Sequence, residues 1–225
     1  MIITISGTPG SGKSTVGKLL AKKLKYKFYS IGAIRREMAK ERGLTLQQFN
    51  VLGEKSDFTD REVDEWQRKL GQTKDNLVVE GRTSFYFIPH SVKIFLKADL
   101  LEAARRIFND TAHVRRFEAS HHYQTPKELA HGLRHRVASD NRRYKKYYRL
   151  EIFRPKHYDL VIDTTKHRPP ETLRDILAFI AASNPKKSKK DNLGTTRKLS
   201  TGFGKSKKRT ANKKISAKVK GKKRK

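Results

Sequence analysis

The sequence predicts an α/β fold in which helices cover both faces of a five-stranded parallel sheet. Short apolar runs of strand length alternate with longer stretches of helical periodicity, and this alternation is typical of parallel sheets. The apolar pattern stops near residue 184. We therefore expect one domain over residues 1–184 and a basic, disordered tail over residues 185–225, because the tail has too few apolar groups to offset the entropy of ordering.

The five predicted strands are short and rich in β-branched or aromatic residues. They cover residues 2–6, 27–30, 77–80, 92–96 and 159–163. A first helix is predicted after the glycine-rich turn that follows residue 6. The later predicted helices cover residues 31–42, 45–70 with a break near 53–57, 99–107, a stretch from 126 onward, and 171–182. Gly43 suits the position just after a helix, and Asp99 is a favourable N-cap.

Composition and charge exclude several classes of protein. The 225 residues carry 53 Lys and Arg against 22 Asp and Glu, a net charge of +31, and residues 186–225 hold 18 of those cations with one acid. Cysteine is absent, which excludes a disulfide scaffold, a Cys-ligated metal and thiol catalysis. Apolar runs are far shorter than the roughly 20 residues that span a bilayer. We therefore expect a cytoplasmic protein.

A phosphate-binding loop is the strongest motif in the chain. The segment GTPGSGKS at 7–14 matches G-x-x-x-x-G-K-[ST] without a mismatch, between a predicted strand and a predicted helix. Backbone N–H groups of such a loop cradle phosphates, the lysine adds positive charge, and the final hydroxyl suits Mg²⁺. The motif predicts a P-loop NTPase-type site for ATP formed by Gly7, Thr8, Pro9, Gly10, Ser11, Gly12, Lys13, Ser14 and Thr15.

Arginines near the ends of predicted elements indicate a second phosphate group. Arg36 lies in the first turns of a helix, and Arg82 follows the strand 77–80 across a glycine. Arg136, Asp140 and Arg143 have the i, i+4, i+7 spacing of one helical face. Phosphoryl transfer between two polyanions needs such cations to neutralise charge and to hold the reacting groups in line. A phosphate loop alone leaves GTPases, ATPases and small-molecule kinases open, whereas this set favours a kinase.

These features together resemble the nucleoside monophosphate kinases. The resemblance is narrower to the archaeal-type cytidylate kinases, in the segments MAKERG at 38–43, DEWQ at 64–67 and VEGR at 79–82. It extends over residues 1 to about 182 and leaves out the tail. It implies an ATP-dependent enzyme with an acceptor-binding region at about 31–75 and a lid at about 109–148.

The resemblance also implies roles for individual residues. Lys13, Arg82, Arg136, Arg143 and Asp140 would be catalytic, with Asp140 holding the lid arginines. Arg36 and Arg82 would clamp the acceptor phosphate, and Asp64 and Gln67 would approach its sugar or base. Arg106 would stack on adenine. Mg²⁺ would be bound by Ser14 and, through water, by Glu80.

The segment from His113 to His135 makes the lid longer than is usual in the family, so Arg115 or Arg116 are alternatives for the lid arginines. His131 and His135 stand at i, i+4, as do many zinc ligands. Cysteine is absent and acids are sparse around them, so a partly protonated, mobile lid is favoured over a metal site.

The sequence thus predicts transfer of the γ-phosphoryl group of ATP to CMP or dCMP by a monomer, with AMP or UMP as alternative acceptors. The tail at 186–225 predicts non-specific contact with RNA or DNA, because it is rich in lysine and has one aromatic residue. A different class of function stays open. It is an RNA- or ribosome-associated P-loop NTPase whose tail supplies the main activity.

Overall fold

The computed structural model describes residues 1–55, 58–110 and 123–183. The chain divides into two units, 1–185 and 186–225. The second unit lies outside the described residues, so the disorder of the tail stays a prediction. Within the first unit, five parallel strands form one sheet in the order β2-β3-β1-β4-β5. The strands are β1 (Ile2–Gly7), β2 (Lys27–Ser30), β3 (Leu77–Glu80), β4 (Val92–Lys97) and β5 (Leu160–Asp163).

The described helices connect these strands as the sequence predicts, with two additions. They are α1 (Lys13–Leu24), α2 (Ile31–Glu41), α3 (Leu46–Lys55), α4 (Phe58–Thr73), α5 (Ser84–Phe87), α6 (Leu100–Asn109), α7 (Pro126–Tyr148) and α8 (Pro169–Ser183). The predicted stretch 45–70 is two helices, α3 and α4, whose boundary falls where a break was expected. The short helix α5 and a 3₁₀ turn at Pro155–His157 had no periodic signal, because each spans one turn or less.

The apolar core lies on both faces of the sheet, as the α/β prediction requires. Alternate residues of one strand point to opposite faces. Ile3 and Ile5 of β1 therefore pack on one face with Leu20 of α1, whereas Ile2 packs on the other face with Phe49 of α3. The predicted fold class is confirmed. Among the described residues, no helix combines the length and the hydropathy needed to cross a membrane.

The sheet order places the polar strand ends together. Strand β1 is central, with Ile5 opposite Glu80 of β3 and Ile94 of β4. The carboxyl ends of β1, β2 and β3 therefore meet at one edge, and this is the edge where ligands bind in open parallel sheets. Ser30 at the end of β2 lies opposite Glu80.

Two glycines of the phosphate loop provide a matched test of packing. Both have positive φ, +69° at Gly10 and +81° at Gly12. A Cβ at Gly10 would lie 2.7 Å from the Cβ of Ala103, whereas a Cβ at Gly12 would meet nothing within 4 Å. Gly12→Ala should lower the free energy of unfolding by about 1 kcal/mol, the cost of left-handed backbone alone. Gly10→Ala should lower it by roughly 2–4 kcal/mol, because overpacking adds to that cost.

Urea denaturation of both variants beside the parent protein measures the two losses. Equal losses for the two variants would show that helix α6 does not hold Gly10 at the distance described.

Candidate active site

The loop from Gly7 to Ser14 has the strained backbone that a phosphate cradle needs. Gly7 has a φ of +147°, and a Cβ there would lie 1.9 Å from the carbonyl oxygen of Leu96 in β4. Only glycine fits so close to a neighbouring strand. The Oγ of Ser11 donates to the carbonyl oxygen of Thr8 at 2.9 Å and closes the turn. The loop then runs directly into the N-terminus of α1, whose dipole favours an anion.

Lys13 is the first residue of α1, and its ammonium group lies over the loop. Its Nζ donates to the carbonyl oxygen of Thr8 at 2.5 Å. Burial lowers the pKa of Lys13 to about 8, because the charged form loses hydration. Four charged side chains also act on this pKa, two carboxylates raising it and two guanidiniums lowering it: Glu80, Asp140, Arg82 and Arg136. The structure therefore brings five of the sequence-predicted side chains around one point.

Glu80, at the end of β3, accepts hydrogen bonds from two serines. The Oγ of Ser14 donates to its Oε2 at 3.2 Å, and the Oγ of Ser30 donates to the same oxygen at 2.6 Å. Ser30 is also the N-cap of α2, where its Oγ accepts from the N–H of Ala33. Three elements thus converge on one carboxylate oxygen.

The same oxygens form a donor set that fits Mg²⁺. The described residues contain no group of three or more His, Cys, Asp or Glu that could hold a metal ion on its own. Mg²⁺ does not require such a group, since it keeps several waters and is commonly bound by one or two protein oxygens together with substrate phosphates. The Ser14 hydroxyl and the Glu80 carboxylate supply hard oxygen donors beside the phosphate loop.

A chain of alternating charges runs from β3 through α7 to α2. The Nε of Arg82 lies 2.7 Å from Asp140, and Asp140 accepts from Arg143 at 3.2 Å. The Nε of Arg143 lies 3.2 Å from Asp60 of α4, which pairs with Arg35 at 2.5 Å. Three guanidiniums therefore alternate with two carboxylates. All except Arg82 are almost fully buried.

Arg143 has a different setting from the one that the sequence predicts. Its side chain is 2% exposed, and its Nη2 also donates to the hydroxyl of Tyr144 at 3.1 Å. The expected contact with Asp140 is present. The contact with Asp60 ties Arg143 to helix α4 rather than presenting it to solvent.

Arg136 belongs to a cluster of like charges. It is half-buried, and burial lowers its pKa to about 10. Arg82, Arg36 and Arg143 contribute to this lowering of the pKa, whereas Asp140 opposes it. Arg36 and Arg82 are therefore each near enough to repel Arg136, and Arg82 and Arg136 also act on Lys13 of the phosphate loop. Bound anions relieve such repulsion, so this cluster has the electrostatics of a phosphate-binding site.

Arg106 of α6 forms hydrogen bonds along one edge of its guanidinium group. Its Nη2 donates to the carbonyl oxygens of Thr164 and Thr165 at 2.9 and 2.6 Å, and its Nε donates to Glu102 at 3.1 Å. Thr164 also donates to the carbonyl oxygen of Ser11 at 3.1 Å, which links this corner to the loop.

Asp64 and Gln67 are both buried in helix α4. The Nε2 of Gln67 donates to Asp64 at 3.1 Å, and its Oε1 accepts from Ser84 at 2.7 Å. Tyr148, at the end of α7, donates its hydroxyl to Asp64. The pKa of Asp64 is raised to about 7, mainly by burial and also by the nearby Asp60, whereas the hydrogen bond from Tyr148 lowers it.

Part of the predicted lid falls outside the described residues. This applies to Arg115, Arg116 and the histidines at 113, 121 and 122. The rings of His131 and His135 meet edge to face at 4.5 Å, and neither belongs to a metal-binding group among the described residues.

Four residues of the site were not predicted from the sequence: Arg35, Asp60, Ser30 and Tyr148. For two of them the sequence does contain a signal, a charged residue on an apolar helical stripe. Arg35 lies on the buried stripe of α2 with Ile31, Met38 and Ala39, at i, i+4, i+7 and i+8. Asp60 lies on the buried stripe of α4 with Val63. A charge on an apolar stripe is unfavourable unless it is paired, so each position predicted a buried partner.

Comparisons with known proteins identify the family of this chain. The Cytidylate kinase-like family matches residues 2–166. A cytidylate kinase of Methanosarcina acetivorans is 38% identical over 180 residues, 79% of this chain and 94% of that protein. A cytidylate kinase of Methanocella arvoryzae is 39% identical over 167 residues, 74% of this chain and 89% of that protein.

Among solved structures, the shikimate kinase of Acinetobacter baumannii aligns with a TM-score of 0.53 at 16% identity. The alignment covers 82% of this chain and 95% of that one. Such a distant likeness supports the fold alone. The family match and the archaeal relatives go further: the chain belongs to the Cytidylate kinase-like family and is a nucleoside monophosphate kinase.

Proposed function

We propose that this protein transfers the γ-phosphoryl group of ATP to CMP or dCMP, giving ADP and CDP or dCDP. The observation that carries the proposal is a cluster of cations: Arg82 and Arg136 lie within electrostatic range of Lys13 in the phosphate loop, and Arg36 lies within range of Arg136. Repulsion within this cluster is relieved when two polyanionic substrates bind. The names of the archaeal relatives support cytidine as the acceptor nucleoside.

On the donor side, the N–H groups of residues 7–14 and the ammonium of Lys13 hold the ATP phosphates. Arg106, whose edge is fixed by carbonyl oxygens, presents its planar face to adenine. Mg²⁺, held by Ser14 and through water by Glu80, would neutralise charge on the β- and γ-phosphates.

On the acceptor side, Arg36 and Arg82 bind the monophosphate and Arg136 stabilises the group in transfer. A phosphate oxygen of the acceptor forms a bond to the γ-phosphorus while the bond from that phosphorus to the β,γ-bridging oxygen breaks. The electron pair remains on ADP. The acceptor oxygen is already an anion at neutral pH, so no general base is required and catalysis depends on position and electrostatics. Asp140 and Arg143 position Arg82 through their ion pairs.

Asp64 and Gln67 are proposed to lie at the acceptor nucleoside. Their polar atoms are engaged by Tyr148, Thr83 and Ser84. A nucleoside therefore reaches Asp64 only after Tyr148 moves. A neutral carboxyl group can donate one hydrogen bond and accept another, which suits the cytosine edge, where an amine adjoins a ring nitrogen acceptor.

The domain boundaries are part of the proposal. The alignment with the Methanosarcina acetivorans relative covers 94% of that protein but only 180 residues of this chain. This length is close to that of the domain at 1–184 and is too short to include the tail as well. We propose that residues 1–184 form the kinase, that the lid spans about 109–148 and the acceptor-binding region about 31–75, and that the protein acts as a monomer. The tail would contact RNA or DNA without sequence preference.

The acceptor specificity can be tested by turnover with single nucleoside monophosphates. With ATP and Mg²⁺, ADP release should be fast with CMP or dCMP and slow with UMP, AMP or GMP offered singly. Lys13→Ala should lower kcat by about 10²–10³-fold, since one preorganised donor to developing charge is lost. Slow turnover that is indifferent to the monophosphate would instead support an RNA-associated nucleotide switch. Fast turnover with UMP or AMP alone would change the acceptor assigned here.

The raised pKa of Asp64 makes the free energy of unfolding depend on pH. The folded pKa of about 7 lies above the unfolded value of 3.8, so the folded state holds the proton more tightly and loses stability as pH rises between those values. Asp64→Asn cannot ionise. Its free energy of unfolding, relative to the parent protein, should therefore rise by about 2 kcal/mol between pH 5 and pH 8.

Urea denaturation at each pH measures this difference. Glu41→Gln, at an exposed position of α2, corrects for the loss of one negative charge. A constant difference between Asp64→Asn and the parent protein across this range would contradict a buried, neutral Asp64.

Deletion of the tail should separate the kinase activity from RNA binding. Deletion of residues 186–225 should leave kcat and KM for CMP within about twofold, because every residue assigned to the kinase lies before the cut. Binding to RNA should weaken, since 18 cations are removed. Loss of turnover on deletion would favour the RNA-associated class instead.

A further inference from the structure

A basic groove on the outer face of α7 contains none of the residues assigned above to catalysis or to nucleotide binding. It has two adjoining sections of about 480 and 410 Å³. Both sections are lined by Lys145, Glu151 and Arg154. The other lining residues are Arg149, Lys156 and His157 in the first section, and Asn141, Arg142 and Phe153 in the second.

A tight reversal at the end of α7 builds this groove. Arg149 has a φ of +53°, and its N–H donates to the carbonyl oxygen of Lys145 at 3.0 Å. The N–H of Leu150 donates to the carbonyl oxygen of Tyr144 at 3.2 Å. These two bonds form a C-cap that turns the chain back along the helix. Arg154 is therefore brought beside Lys145 in space.

The groove concentrates positive charge more than the rest of the domain does. Residues 142–156 include seven cations and one acid, a net charge of +6, whereas the whole of residues 1–185 carries +14. All of those cations except Arg143 are exposed. The one acid, Glu151, is already paired with Arg154. The field also reaches His157, whose pKa is lowered by burial first and then by Lys156 and Arg154.

The groove is separate from the catalytic face of the same helix. Asp140 and Arg143 point into the buried ion chain. Arg142, Lys145 and Arg149 are spaced i, i+3, i+7 and lie on the opposite side, given 3.6 residues per turn. A ligand in the groove therefore does not compete with either nucleotide.

We propose that this basic groove binds the sugar–phosphate backbone of a nucleic acid. Exposed arginines and lysines along a groove are the usual contacts for successive phosphates, and Phe153, which lines the second section, offers an aromatic surface for a base. A lipid surface is disfavoured, because membrane-binding faces combine cations with aliphatic side chains, and no aliphatic side chain lines either section. The groove extends nucleic-acid contact from the tail to the folded domain.

The test compares two full-length variants with equal loss of charge. The groove variant combines Lys145→Gln, Arg149→Asn, Arg154→Gln and Lys156→Gln, with asparagine chosen because it tolerates positive φ. The control combines Lys18→Gln, Lys22→Gln, Lys40→Gln and Lys69→Gln, all at exposed positions of α1, α2 and α4. Fluorescence anisotropy with labelled oligouridine and with oligodeoxythymidine of the same length, from 50 to 200 mM salt, reports the affinity of each protein.

The groove variant should bind at least about tenfold more weakly at 100 mM salt, and the slope of log K against log salt should fall by about 2, as expected when about three phosphate contacts are lost. A selective loss for RNA or for DNA identifies the source of the backbone. A parental far-UV circular dichroism spectrum and a parental urea-denaturation midpoint show that the variant is folded. If it is misfolded, the double variant Arg142→Gln, Lys156→Gln should show a smaller loss of the same kind.

Two results would overturn the proposal. One is an equal loss of affinity for the groove and control variants, which would mean that net charge and the tail account for all binding. The other is binding of the parent protein, but not of the groove variant, to phosphatidylserine vesicles, with no difference between them on either oligonucleotide.

Discussion

The alternating charges of Arg35, Asp60, Arg143, Asp140 and Arg82 are the interaction on which the candidate site depends. Each carboxylate lies between two guanidiniums, and four of the five side chains are almost fully buried. Removing one partner of such a buried set typically costs about 3–5 kcal/mol, because the remaining charge loses its counter-ion. The chain of charges also joins α2, α4, α7 and the end of β3. Helices α2, α4 and α7 are therefore held against the sheet by the same contacts that orient Arg82.

The phosphate loop adds a second constraint, on the backbone. Gly7 lies so close to Leu96 that no side chain fits, and Gly10 packs with a positive φ against Ala103 of α6. The loop is thus fixed by β4 and α6 as well as by its own strand and helix. This rigidity matters electrostatically, since preorganised N–H groups stabilise developing charge without having to reorganise during the reaction. Lys13 is held in the same way, through its bond to Thr8.

Much of this arrangement could be predicted from the sequence, for physical reasons. The five strands and the phosphate loop have local signals, namely β-branched runs, alternation with helical stretches, and glycines at fixed spacing. Within the ion chain, only the pair Asp140–Arg143 has a local spacing, i, i+3. The other pairs join residues that are distant in the sequence, so no local pattern reveals them. Position 35 rather than position 36 is buried with Asp60, and only the helical stripe of α2 distinguishes these adjacent arginines. Tyr148 contacts Asp64 across 84 residues, so no spacing rule could reveal that contact.

The two faces of helix α7 have different electrostatic surroundings. Its inner face carries Asp140 and Arg143, whose charges are satisfied by carboxylate, guanidinium and hydroxyl partners. Its outer face carries cations with a single acid nearby, and that acid is already paired. A helix that needed only to close over nucleotides would gain nothing from the outer charges, which repel one another at spacings of three and four residues. An anionic partner on the outer face removes that repulsion, just as bound nucleotides remove it around Arg136, and the two anions act on opposite sides of one rigid element.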